Sequence, residues 1–129
     1  MLKTIGTWVL TVVPSSLLLL SGGAKLAGAE TAGFHELGFP DGFVYVVGFV
    51  EFFGTLAFLS PRLATWAALP LIGVMIGATA THVGQGQYGM ALVPAAFAVM
   101  VGVVGWLRRD GMLLPTAHRA TAAAQATKV

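Results

Sequence analysis

Cysteine is absent from the 129 residues, which excludes disulfides, thiolate metal ligands and dithiol redox chemistry carried by the chain itself. Any electron transfer would need a bound cofactor or a partner. Charge is also scarce: Asp, Glu, Lys and Arg make up 9% of the residues, where a soluble domain carries about 25%. None of the four types occurs between Lys3 and Lys25, or between Arg62 and Arg108. With 57% of the residues hydrophobic, a water-soluble fold is excluded and the uncharged gaps read as membrane spans. The formal net charge of +2 rests on few basic residues at span ends. They are topology signals, and no nucleic-acid partner is expected.

What is present is long apolar runs. Measured against the roughly 20 residues that cross a bilayer, they give four spans, at about 4–26, 42–59, 62–83 and 88–107. The expected fold is all-α, a four-helix transmembrane bundle forming one domain over 1–109, followed by a cytoplasmic tail over 110–129 with little apolar periodicity. That tail is expected to be mobile unless a partner orders it. Ala27-Gly28-Ala29 resembles a leader-cleavage site, but the apolar run before it is as long as a full span, so it is taken as a retained first helix. Ser60-Pro61 predicts the start of the third span, Ser as N-cap and Pro at the first helical position.

Lys3, Arg62, Arg108 and Arg109 fall on one side of such a bundle and only Lys25 on the other, which predicts both termini cytoplasmic in a multi-pass protein of the inner (plasma) membrane. Trp8, Tyr45, Trp66, Tyr88 and Trp106 lie near span ends, as belt anchors do. Gly73 and Gly77 form a GxxxG pair, and Gly102 and Gly105 a second small patch; internal bundle packing is the expectation for both, dimerisation the alternative. Pro14, Pro70 and Pro94 fall inside spans and are expected to bend them.

Against this background Glu51 stands out, the one charged residue between Asp41 and Arg62. A carboxylate near mid-membrane is costly unless paired, protonated or facing a polar cavity, and is a functional-site candidate for that reason. Gly48, Gly54 and Thr55 share its helix face. Glu51 reads as a proton carrier or a ligand for a polar head group, or else as a hydrogen-bonded core residue. Lys25 closes the first span and is expected to snorkel outward, because helical rise puts it about 10–15 Å above Glu51; a tilted first helix would instead bring the two together. His82, at the outer end of the third span, is a candidate to orient a quinone carbonyl or to bond near Glu51, or is an interfacial histidine. With His35, Glu36 and Asp41 it lacks i,i+4 ligand spacing, so no metal site is expected. Phe43, Phe49, Phe52, Phe53 and Phe58 could line a site for a flat ligand, or be lipid-facing and core residues.

Ser21-Gly22-Gly23-Ala24-Lys25-Leu26 with Gly28, then Gly38-Phe39-Pro40, then Gly48-Phe49-Val50-Glu51-Phe52-Phe53-Gly54 together resemble the DoxX-like family of small bacterial membrane proteins, over about residues 20–107. The resemblance implies a four-helix inner-membrane fold, with no single activity common to the family. It also implies links to quinone-coupled oxidation of sulfur compounds and to membrane oxidoreductase complexes. The family's polar positions correspond to Lys25 and Glu51, with His82 as a further match, while Thr55 stands where relatives usually have a second glycine. No flavin, haem or iron–sulfur motif accompanies them.

Three functions remain open at this point. The first is a quinone- or redox-associated membrane subunit, with a membrane protein partner and a small amphiphile pocket near Glu51. The second is a structural accessory subunit of a larger membrane complex with no site of its own. The third is a small-molecule isomerase or carrier that uses an intramembrane cavity.

Overall fold

The structure, a computed structural model, describes residues 1–111 and 117–128; the side chains of 117–121 are outside that description. The described residues form helices and turns with no strand: α1 (Leu2–Leu26), α2 (Thr31–Glu36), α3 (Phe43–Leu59), α4 (Ala64–Gly84), α5 (Tyr88–Leu107), a 3-10 turn (Arg109–Gly111) and α6 (Ala117–Ala126). α1, α4 and α5 are long and apolar enough to cross a membrane, and α3 is an apolar helix of 17 residues, at the short end of the roughly 17–25 that suffice. The expectation of a mobile tail falls partly on 112–116 and 129, which lie outside the described residues.

The four long helices pack in a ring. α1 lies against α3 and α5, and α4 lies against α3 and α5. Neighbours run antiparallel, since Gly22 faces Glu51 and Phe52 while Lys25 and Leu26 face Gly48. Large apolar side chains point away from the ring on every long helix, among them Val9, Leu20, Phe49, Phe53, Leu69, Ile76, Leu92 and Val99. That inversion suits a chain whose solvent is lipid, and the protein is a multi-pass membrane protein.

Packing inside the ring divides it lengthwise. The half containing the α3–α4 turn has an apolar core of Phe58, Ala64, Ala67, Ala68, Leu71, Val101 and Val104. Here α4 and α5 approach closely at Gly105, where a Cβ would meet that of Ala68 at 2.8 Å, and Thr65 Oγ1 donates to the Gly105 carbonyl at 2.9 Å. Gly73 and Gly77 behave otherwise: nothing lies within 4 Å of a Cβ built on either. They face outward, so the expected internal packing at this GxxxG pair does not occur; the turn of α4 that packs is the one carrying Ala67, Ala68 and Leu71.

The start of α4 also differs from expectation. Ser60 ends α3 in an extended conformation and makes no side-chain cap, and Leu63 holds the N-cap position of α4. The Ser60 carbonyl still accepts from Leu63 and Ala64, at 3.1 and 2.9 Å, so the intervening turn is wound tightly and the helix begins three residues later than Ser60-Pro61 suggests.

The sequence gives no sign of α2, in the connector between α1 and α3. Phe34 on α2 packs with Phe39 and with Phe43 of α3, ring centroids 5.7 and 6.2 Å apart, and Phe39 stacks on Phe43 at 4.9 Å. Gly28 and Gly42 bound this segment with φ of +79° and +89°, a backbone region that glycine enters without steric cost.

Candidate functional site

The other half of the ring holds a buried ion pair, Lys25 with Glu51. Ser21 and Lys25 stand one turn apart on α1, on the same face, and that face meets α3 at Glu51. Lys25 Nζ lies 3.0 Å from Glu51 Oε2 and 2.5 Å from Ser21 Oγ, and Ser21 Oγ donates to the same Glu51 oxygen at 2.9 Å. Both ends of the pair are buried: Lys25 is 7% exposed and Glu51 3%. A second carboxylate, that of Glu30 in the connector, approaches Lys25 Nζ at 3.3 Å from a more exposed position. One ammonium therefore bridges two acids, one at the centre of α3 and one at the end of the bundle.

The expectation that Lys25 snorkels outward is thus overturned, and the reason lies in two glycines. A Cβ on Gly22 would stand 2.7 Å from the Phe52 backbone nitrogen, and one on Gly48 would stand 2.8 Å from the Lys25 Cβ. The backbones of α1 and α3 touch at this crossing. It puts Lys25 level with Gly48, three residues and therefore about 4.5 Å along α3 from Glu51, rather than 10–15 Å above it. α3 runs past the end of α1, so the end of the first helix is not the edge of the bundle. Glu51 lies midway along Phe43–Leu59. Thr55, one turn on, is fully buried and its hydroxyl donates to the Glu51 carbonyl.

Lys25, Glu51 and Ser21 line a cavity of about 350 Å³ together with His82, while Leu17, Met75, Val93, Pro94 and Phe97 supply its apolar walls. All three sequence candidates, Lys25, Glu51 and His82, meet there. Their bonding is uneven. Both hydrogen bonds from α1 converge on Glu51 Oε2, and Oε1 has no hydrogen-bond partner among the described residues. His82 Nδ1 lies 2.9 Å from the Gln87 side-chain amide, which leaves Nε2 for another partner.

Sequence reasoning missed Ser21 as a site residue, although its i,i+4 spacing to Lys25 was there to read. It also missed Glu30 and Phe97. The phenylalanines of α3 form no part of the cavity: Phe49 and Phe53 pair at 4.7 Å on the outer face, and Phe58 is core.

Among known families, the model described as the DoxX-like family matches residues 9–104, a stretch that contains the four long helices almost whole. No curated protein and no solved structure matches the chain.

Proposed function

The chain belongs to the DoxX-like family, and from that premise we propose that it binds the polar head of a small amphiphile, a quinone foremost, in the cavity at Glu51. In this reading it is the membrane subunit of a redox partner in the inner (plasma) membrane, with both termini cytoplasmic. The observation that carries it is Glu51 Oε1, without a protein partner beside an apolar cavity. An oxygen left free beside a cavity is available to a ligand's donor. The cavity is of the size that ligand pockets have, about 300–1,000 Å³, and has their make-up of apolar walls with a few convergent polar groups. A quinone carbonyl would accept the Lys25 hydrogen now shared with the more exposed Glu30, or accept from a His82 protonated at Nε2, a quinol hydroxyl would donate to Glu51, and an isoprenoid tail would lie along Leu17, Val93 and Phe97.

Titration of the full chain in mild detergent with a short-chain quinone tests this. Saturable binding is expected, weakened about tenfold in Glu51→Gln, the scale of one charge-assisted hydrogen bond. Absence of saturable binding by the native chain would reject the quinone, and purification without a stoichiometric redox subunit would reject the partner.

A second reading, an accessory subunit in which the ion pair only ties helices together, is favoured by one observation: every bond to the Glu51 side chain comes from α1. It predicts that Glu51→Gln lowers the thermal midpoint while leaving quinone titration unaltered. The isomerase or carrier reading uses the same cavity and requires in addition that a bound amphiphile be turned over or moved.

A further inference from the structure

The opposite end of the ring has a cavity of its own, about 310 Å³, lined by Lys3, Thr4, Thr7, Trp8, Leu107 and Arg108 among others. Arg108 follows the last turn of α5 and is 9% exposed. Its guanidinium lies over the Trp8 ring, 4.7 Å from the centroid, and its Nη1 is buried without a hydrogen-bond partner. No carboxylate among the described residues is within ion-pair distance of it; Asp110, the nearest acid in sequence, pairs with Arg109 instead. Burial pushes the Arg108 pKa down from its ordinary value, yet a guanidinium remains charged. A buried cation with an orphaned donor is costly until an anion reaches it.

The lining shows what kind of anion. It offers two cations and two threonines and no acid, and the indole and Leu107 add an apolar wall. The cavity also sits where α1 begins and α5 ends, beside the α3–α4 turn at Pro61, so in a membrane it lies at headgroup height. We propose that this cavity is a binding site for the phosphate of an anionic membrane lipid, held by Arg108 and Lys3 with its glycerol and first acyl carbons against Trp8 and Leu107. Arginine suits the task because its planar fork meets phosphate oxygens two at a time. The site is independent of the cavity at Glu51 and stands whatever that cavity binds.

The test is lipid binding to the full chain in a neutral maltoside detergent, read by native mass spectrometry and by the shift of the thermal midpoint. Phosphatidylglycerol, phosphatidylcholine and inorganic phosphate are the added probes. Phosphatidylglycerol is expected to bind and to raise the midpoint, with half-saturation weakened about tenfold or more by Arg108→Gln. Lys3→Gln, at an exposed residue in the first turn of α1, tests the same site without disturbing the core and is expected to weaken binding severalfold. Equal affinity of the native chain and both variants, or phosphatidylcholine binding as tightly as phosphatidylglycerol, would overturn the proposal. Protection by inorganic phosphate equal to that by the lipid at the same concentration would assign the site to free phosphate and overturn the lipid.

Discussion

At the scale of single residues, Lys25 and Glu51 form a pair whose two members depend on each other more than the fold depends on the pair. Removing one partner leaves a buried charge uncompensated, a loss of about 3–5 kcal/mol, whereas replacing both with apolar groups of like volume is often neutral. Lys25→Met, which strands the Glu51 charge, is therefore expected to lower the thermal midpoint strongly, Glu51→Leu to lower it less because Glu30 still faces Lys25, and the double variant to recover most of the Lys25→Met loss. A double-mutant cycle in detergent measures this, and additive losses would mean that the two do not interact. Glu51 is legible from the sequence because a lone charge in an apolar run is a local anomaly. Its partner is not, because which residue of α1 reaches it depends on how far one helix has slid along the other.

At the scale of elements, that slide is set by the crossing of α1 and α3. Lipid gives no hydrophobic drive for one helix to leave the bilayer and join another, so close backbone approach and the contacts it permits hold the pair. Gly22→Ala and Gly48→Ala would each push a methyl group into atoms less than 3 Å away and are expected to cost about 1–3 kcal/mol, and the proposed quinone binding is expected to go with them as the cavity walls part. Gly73→Ala and Gly77→Ala, where a Cβ meets open space, are expected to leave stability and binding unchanged. Thermal unfolding of the four variants checks this, and an equal loss in all four would refute the crossing. The sequence shows both kinds of glycine alike. A GxxxG spacing says that two glycines share a helix face, and not which neighbour that face meets.

On the scale of the whole molecule, the ring holds an ion pair in one half and an apolar core in the other, with its cations gathered at the end beyond that core: Lys3, Arg62, Arg108 and Arg109 against Lys25 alone in the half with the ion pair. The positive-inside rule predicts that this end is cytoplasmic. Having no native cysteine, the chain suits labelling through single introduced thiols. Lys3→Cys, Arg62→Cys and Gly111→Cys are expected to react with an impermeant reagent only from the cytoplasmic side of sealed membranes, and Glu36→Cys and Gly86→Cys only from the other. Reaction of Lys3→Cys and Gly111→Cys from opposite sides would break the ring topology.

Composition and spacing by themselves determined that the chain is helical, that it belongs in lipid, where its long helices run, and that Glu51 lies midway along one of them. These are local properties: apolar length, helical rise and a charge without neighbours can all be counted along a single strand of sequence. Only the tertiary structure decided that Lys25 turns inward to Glu51, that Ser21 and Glu30 share its ammonium, that His82 lines the same cavity, and that Arg108 Nη1 is buried without a hydrogen-bond partner among the described residues. Each of those depends on the axial offset between helices far apart in the chain. That offset is fixed by which small residues let two backbones touch, and no period within one helix records it.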